Sequence, residues 1–137
     1  MLYRQPEIGG NVYMSNRYIK VSMKDVEVYS PPGHGDTYNK RLIGPKEGSM
    51  FVEVIHGEMG NVGHAEPHAH AAFDQCMYML SGRLRVTGDG DEVLLEKDDF
   101  IWFPKNSAHK VVCETEKATF LVIYSPPRES SNEAVGK

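Results

Sequence analysis

The sequence predicts an all-β domain, and three observations lead to that prediction. Short runs of β-branched, aromatic and other apolar residues recur at a spacing of roughly 8–12 residues. Clusters of Gly, Asp and Pro separate them, in a chain with 13 glycines and 8 prolines among 137 residues. Only residues 71–74 have a helical pattern, and that stretch is too short for a helix. Together these features indicate an antiparallel sandwich or barrel.

Each predicted strand lies between two turn signals. The β-branched and aromatic runs are residues 18–23, 50–55, 75–80, 83–86, 92–95, 100–103, 109–113 and 119–124. Ser81-Gly82 and residues 88–91 are typical of turns. Residues 30–36, with two prolines and two glycines, are predicted to be irregular, and the glycine-rich stretch 57–67 is predicted to be a loop.

Composition excludes several classes of partner. The formal net charge is −4 with no basic run, which argues against nucleic acid as a partner. No apolar run is long enough to cross a bilayer, and the first ten residues lack the apolar centre of a secretory signal. The two cysteines are too few for a disulfide framework and suit a reducing compartment. These observations predict a cytoplasmic protein.

The chain divides into three predicted parts. Residues 1–49 form an N-terminal extended segment with edge strands, and residues 50–125 form the barrel. Residues 126–137 are polar and form a C-terminal tail.

A pair of histidines is the strongest chemical signal. On a strand, His68 and His70 would share one face, so both imidazoles could bind one ion. Further ligands would come from neighbouring strands, where Gln75 has inward parity and His109 begins a strand. A histidine on a strand is also compatible with simple packing, so the surrounding pattern has to decide between the two interpretations.

Two motifs around these residues resemble the cupin superfamily. The first runs from Gly63 through His68-Ala-His70 and Gln75 to Gly82, and the second runs from residue 97 through Pro104 to His109. The resemblance covers about residues 50–125. It implies a double-stranded β-helix, or jelly-roll barrel, which holds one divalent metal ion (Fe, Mn, Zn or Ni). The implied ligands are His68, His70, Gln75 and His109.

Gln75 stands where most metal-binding members of the superfamily carry Glu. Its amide oxygen is a neutral ligand, so the full charge of the ion would be left uncompensated. Such an ion should bind anions tightly and polarise a substrate oxygen, which favours Lewis-acid chemistry over oxygen chemistry. The alternative is that Gln75 does not ligate and that three histidines suffice.

A nearer resemblance is to the sugar-acid-linearising cupins of pectin and alginate breakdown. These are similarly small and use His, His, Gln and His around the metal. Their last strand carries Asp, an aromatic residue and Arg, which correspond to Val122, Tyr124 and Arg128 here. The resemblance implies catalytic roles for Tyr124 and Arg128, whose guanidinium suits a substrate carboxylate. Val122 stands at the position of the Asp, and a valine side chain cannot transfer a proton.

Three functional hypotheses follow. The first is a metal-dependent enzyme that acts on a small carboxylated or hydroxylated substrate by isomerase- or lyase-type chemistry. The second is an oxygen-using cupin dioxygenase with Fe or Mn, and the third is a small-ligand-binding cupin without catalysis. The predicted partner is a small-molecule, anionic substrate, and the resemblance also implies a homodimer through residues 11–30.

Overall fold

A computed structural model describes residues 12–14 and 18–128 of the chain, and these residues confirm the all-β prediction. The helical turns within these ranges are two short 3₁₀ helices, Met23–Asp25 and Pro45–Glu47. Neither of these described helices has the length and apolar character of a membrane span. The strands are, in chain order, β1 (Val12–Met14), β2 (Ile19–Val21), β3 (Val28–Tyr29), β4 (His34–Ile43), β5 (Glu53–His68), β6 (Asp74–Ser81), β7 (Leu84–Gly88), β8 (Asp91–Leu95), β9 (Phe100–Phe103), β10 (His109–Cys113) and β11 (Lys117–Ser125).

Strands β3 to β11 form one continuous antiparallel network of nine strands, and β5 divides this network into the two sheets of the barrel. The first part of β5 pairs with β11, which continues to β6 and β9, and its second part pairs with β10, which continues to β7 and β8. Strand β4 pairs with the other edge of β5 and carries β3, while β1 and β2 form a separate hairpin. Side chains from both sheets line the interior. This is the jelly-roll barrel that the motifs imply.

The prediction of a loop at residues 57–67 is wrong, because β5 continues through this stretch to His68. Its glycines serve packing here. A Cβ atom on Gly57 would lie 2.3 Å from the ring of Phe120, and one on Gly63 would lie 2.6 Å from Cβ of Met59. The glycines therefore make room for core side chains of β11 and of β5 itself.

The prediction of irregular structure at residues 30–36 is also partly wrong, because β4 begins at His34. The inner face of this strand carries Thr37, Asn39 and Arg41. Polar residues on the inner face remove the apolar alternation by which a strand is predicted. The sequence therefore gives no periodic signal for a ten-residue strand.

The later strands agree with the sequence. Strands β9 and β10 have the predicted limits, and β6, β7, β8 and β11 differ by one or two residues at an end. Earlier, the strand predicted at 50–55 begins at Glu53, and the one at 18–23 is shortened to Ile19–Val21. The apolar core lies between the two sheets, with Met79, Leu84 and Phe120 among its most buried members.

The division into three parts stays a prediction. Strands β3 and β4 fall within the predicted N-terminal segment, and both join the sheet that contains β5. Residues 1–11 and 15–17 of that segment, and residues 129–137 of the predicted tail, lie outside the described residues.

A single methyl group at Gly57 tests the packing of β5. Gly57→Ala should lower the free energy of unfolding by about 1–3 kcal/mol, because the new Cβ overlaps the buried Phe120 ring. Urea denaturation measures the change. Combining Gly57→Ala with Phe120→Leu should cost less than the sum of the two single variants. Additive effects, or wild-type stability for Gly57→Ala, would contradict this account.

Candidate metal centre and substrate cavity

Pairing of β10 with β5 brings two of the predicted ligands together. His109 lies opposite His68 in the ladder, and their ring centroids are 4.2 Å apart. His70 is not on the strand as predicted, since β5 ends at His68 and His70 follows two residues later. Its ring centroid nevertheless lies 4.8 Å from that of His68 and 6.2 Å from that of His109.

Gln75 approaches from the opposite sheet. It lies next to Tyr124 of β11 and Phe103 of β9 in the ladders, and its side chain faces inward as predicted. Gln75, His68 and His109 all border an inner cavity of about 30 Å³, close to the volume of one water molecule in the liquid. The jelly roll therefore gathers these three residues around one small space.

Three buried polar atoms of residues that border this cavity lack a hydrogen-bond partner among the described residues. They are Oδ1 of Asn39, Oε1 of Gln75 and Nε2 of His109. Burial of a polar atom without a partner is unfavourable, and native proteins retain such atoms mainly where a ligand, ion or water satisfies them. These atoms fit a metal ion, since amide oxygen and imidazole nitrogen are both metal donors.

Backbone hydrogen bonds determine which ring nitrogen remains available. Nδ1 of His68 lies 2.6 Å from the carbonyl oxygen of Glu66, and Nδ1 of His109 lies 3.0 Å from that of Ser107. Because a carbonyl oxygen only accepts, Nδ1 of each ring carries a hydrogen, and Nε2 is the nitrogen left to bind a ligand. Burial, reinforced by His68, lowers the pKa of His109 to about 4, so this ring is neutral at physiological pH.

Aromatic contacts and loop hydrogen bonds hold the rings in place. Phe103 stacks on His109 with 3.8 Å between centroids, and Phe73 stacks on His70 at 4.4 Å. The backbone N–H of Asn106 donates to the carbonyl of His70 at 2.7 Å, which ties the two motif loops together. These contacts therefore restrict the orientations of the His70 and His109 rings.

The donors are near one another but are not assembled as a metal site. Within residues 12–14 and 18–128, no group of three or more His, Cys, Asp and Glu side chains is arranged to hold a metal ion. The ring planes of the three histidines are inclined to one another by 56–66°.

A larger cavity of about 480 Å³ opens above the histidines. Its lining residues come from the turn before β4 and the start of that strand, from the end of β5 and the residues after it, and from the end of β11 and the segment after it. They include His34, His68, His70, Tyr124 and Arg128. The sequence-predicted Tyr124 and Arg128 therefore lie in one cavity with two of the predicted ligands. The Arg128 guanidinium carbon lies 6.0 Å from the centroid of the Tyr124 ring.

Tyr124 remains protonated in this setting. Its side chain is buried, and burial raises the pKa of its hydroxyl to about 12, while the nearby Arg128 partly opposes that shift. A hydroxyl with this pKa is a hydrogen-bond donor at neutral pH rather than an anion. Next to it in the inner cavity lies Val122, which is apolar and cannot exchange protons.

His34 is a cavity residue that sequence reasoning missed. It borders both cavities, and its ring centroid lies 6.0 Å from that of His68. Its Nδ1 lies 2.9 Å from the carbonyl oxygen of Pro32, and burial lowers its pKa. The Pro-Pro-Gly sequence before it indicates a turn, and only the pairing of β4 with β5 shows that this turn lies at the cavity.

Comparison with known proteins agrees with this architecture. A family model described as a cupin domain matches residues 50–124. The pectin degradation protein KdgF of Dickeya dadantii is 30% identical over 94 residues, which cover 69% of this chain and 83% of that protein.

Two solved structures show the same fold. The polyketide cyclase RemF from Streptomyces resistomycificus matches with a TM-score of 0.70 and 22% identity, over 77% of this chain and 78% of that one. KdgF from Halomonas sp. matches with a TM-score of 0.67 and 18% identity, over 78% of this chain and 94% of that one. The chain therefore belongs to the cupin superfamily, and it resembles the pectin-degradation cupins within it.

Proposed function

We propose that this cupin binds one divalent metal ion and acts on a small carboxylated substrate by isomerase- or lyase-type chemistry. The observation that carries the proposal is the pair of buried, unpartnered atoms, Gln75 Oε1 and His109 Nε2, beneath a cavity that Arg128 lines. Uronates are the proposed substrate class, because the relative from Dickeya dadantii is a pectin degradation protein.

The residues that would hold the ion are His68, His70, Gln75 and His109. When bound, a divalent ion such as Fe, Mn, Zn or Ni supplies Lewis-acid polarisation of a substrate oxygen. The four donors are uncharged, so no ligand offsets the charge of the ion. The backbone hydrogen bonds at Nδ1 of His68 and His109 leave Nε2 of each ring as the nitrogen that would bind the ion.

Arg128 and Tyr124 are the proposed substrate-binding pair. The Arg128 guanidinium can hold a carboxylate through two parallel hydrogen bonds and thereby orient the rest of the substrate toward the histidines. Tyr124 donates its hydroxyl proton in a hydrogen bond to a substrate oxygen, because its raised pKa keeps it protonated. Both are proposed as catalytic residues, and Val122 offers no proton-transfer group.

The alternatives differ in measurable ways. An oxygen-using cupin would consume O₂ with substrate when loaded with Fe or Mn and would be inactive with Zn. A binding module without catalysis would bind the anion saturably and form no product, and the apolar Val122 in the cavity favours this second candidate. We further propose a cytoplasmic homodimer that pairs through residues 11–30.

Metal content should depend on the buried histidines. His109→Ala is expected to weaken metal binding by more than about 100-fold, because it removes a direct ligand of the ion rather than a residue that only orients a ligand. Elemental analysis of the purified protein gives the bound metal per chain. The matched control is His56→Ala, since His56 lies on the outer face of β5 and should leave metal content unchanged. Equal metal content in both variants would contradict the proposed ligand set.

A negative charge at residue 75 should change the affinities for metal and for substrate in opposite directions. Gln75→Glu is expected to tighten metal binding by about tenfold, because a carboxylate adds a negative charge to the ligand set. The same variant should bind a uronate more weakly, because the ion's charge is partly neutralised. Competition with a chelator and isothermal titration measure the two constants. If both constants are unchanged, Gln75 is not a ligand.

Substrate chemistry should require the guanidinium of Arg128. In a panel of uronates and related acids, Arg128→Met is expected to lower kcat/KM by about 100-fold or more, since it removes a charge-assisted, two-bonded contact. Arg128→Lys should restore only part of the loss, because Lys cannot form the planar fork. Nuclear magnetic resonance of the products identifies the reaction. Absence of any product across the panel with metal-loaded protein would refute the enzymatic proposal.

A further inference from the structure

A buried carboxylate in contact with the Arg128 backbone has no role in the chemistry proposed above. Glu53 begins β5 on its inner face and is 0% exposed. An ionised carboxylate is unfavourable in a protein interior unless nearby groups pair with it and satisfy its oxygens. The contacts of Glu53 therefore indicate why this carboxylate is there.

Both oxygens of Glu53 accept hydrogen bonds from different parts of the chain. Oε2 accepts from Nε of Arg41 on β4 at 2.5 Å. Oε1 accepts from the backbone N–H of Arg128, 75 residues later in the chain, at 2.7 Å. One side chain thus joins β4, β5 and the segment that follows β11.

Arg41 is itself held on its far side by Tyr29 of β3. Its Nη2 donates to the Tyr29 hydroxyl at 3.2 Å, and its guanidinium carbon lies 4.9 Å from the centre of the Tyr29 ring. These contacts with Tyr29 restrain the Arg41 guanidinium, so the ion pair between Arg41 and Glu53 has a defined position. This orders Glu53 Oε1 as an acceptor for the Arg128 N–H.

The hydrogen bond from the backbone N–H of Arg128 affects the position of the Arg128 side chain. Arg128 comes three residues after the end of β11 and lines the larger cavity beside Tyr124. A long, rotatable side chain is aimed accurately only when its own backbone is anchored. At this position the β11 ladder has ended, and the Glu53 carboxylate accepts a hydrogen bond from the Arg128 backbone N–H.

We infer that Glu53 is a positioning residue, whose carboxylate fixes the backbone of Arg128 and thereby aims the guanidinium into the cavity. The use of that guanidinium to hold a substrate carboxylate rests on the proposed function, whereas the anchoring of the backbone does not. Glu53 has no substrate contact in this proposal and acts through Arg128 alone.

Two matched double variants isolate the anchoring oxygen. Arg41→Met with Glu53→Gln, and Arg41→Met with Glu53→Met, both remove the buried ion pair and replace it with groups of similar volume. Such replacements are usually tolerated in protein interiors. The two proteins differ mainly in whether residue 53 retains an oxygen that accepts the Arg128 N–H. Urea denaturation confirms that both are folded and records their stability.

Amide hydrogen exchange at Arg128, followed by nuclear magnetic resonance, is the measurement that does not depend on function. The variant with Gln at position 53 should keep the Arg128 amide protected to within about threefold of wild type, and the variant with Met should exchange at least about tenfold faster. Exchange rates are compared after correction for global stability. Equal exchange at Arg128 in the two variants would overturn the inference.

Uronate binding, measured by isothermal titration calorimetry, tests whether the hydrogen bond between Glu53 and the Arg128 backbone affects substrate affinity. The Met variant should bind galacturonate about tenfold more weakly than the Gln variant, while both bind metal equally. Galactose, which lacks the carboxylate, should not distinguish them. Equal galacturonate affinity despite different Arg128 exchange would overturn the aiming role. If wild-type protein binds no uronate, the proposed function fails, and amide exchange alone decides the anchoring.

Discussion

The hydrogen-bond ladders of β5 are the constraint on which the rest of the structure depends. This strand pairs with β4 along one edge and with β11 and then β10 along the other, so it belongs to both sheets. Its register places His68 opposite His109 and leads the chain directly to His70. The same strand carries Glu53 at its start. Disruption of this ladder would therefore separate both the histidines and the Arg128 anchor from the cavity.

The interior of the barrel balances apolar packing against polar groups that face the cavities. Deep in the core, Met79, Leu84 and Phe120 exclude water and stabilise the fold. Around the inner cavity, Gln75 and His109 are buried with polar atoms that no described residue satisfies. Such groups reduce stability in the absence of a ligand and so mark the place where a ligand gains most by binding.

Prediction from the sequence succeeded where one face of a strand is apolar. Strands from β6 onward contain short runs of apolar, β-branched and aromatic residues with turn residues between them, so the sequence predicts their positions directly. Strand β4 was missed because its inner face is polar, and most of β5 was missed because its glycines resemble loop residues. Those glycines occupy strand positions where neighbouring side chains such as Phe120 leave no room for a Cβ. A local sequence pattern cannot show the contact between Gly57 and Phe120, because these residues are 63 positions apart in the chain.

The sequence by itself determined the all-β class and the cupin motifs, and it supplied the proposed donor residues, because these depend on residue types and short spacings. Only the tertiary structure decided which groups meet. Strand pairing brings His34 to the cavity wall, joins Glu53 to the backbone of Arg128, and sets Tyr124 beside Gln75. These juxtapositions come from the register between distant strands, which depends on the simultaneous packing of both sheets rather than on any local segment.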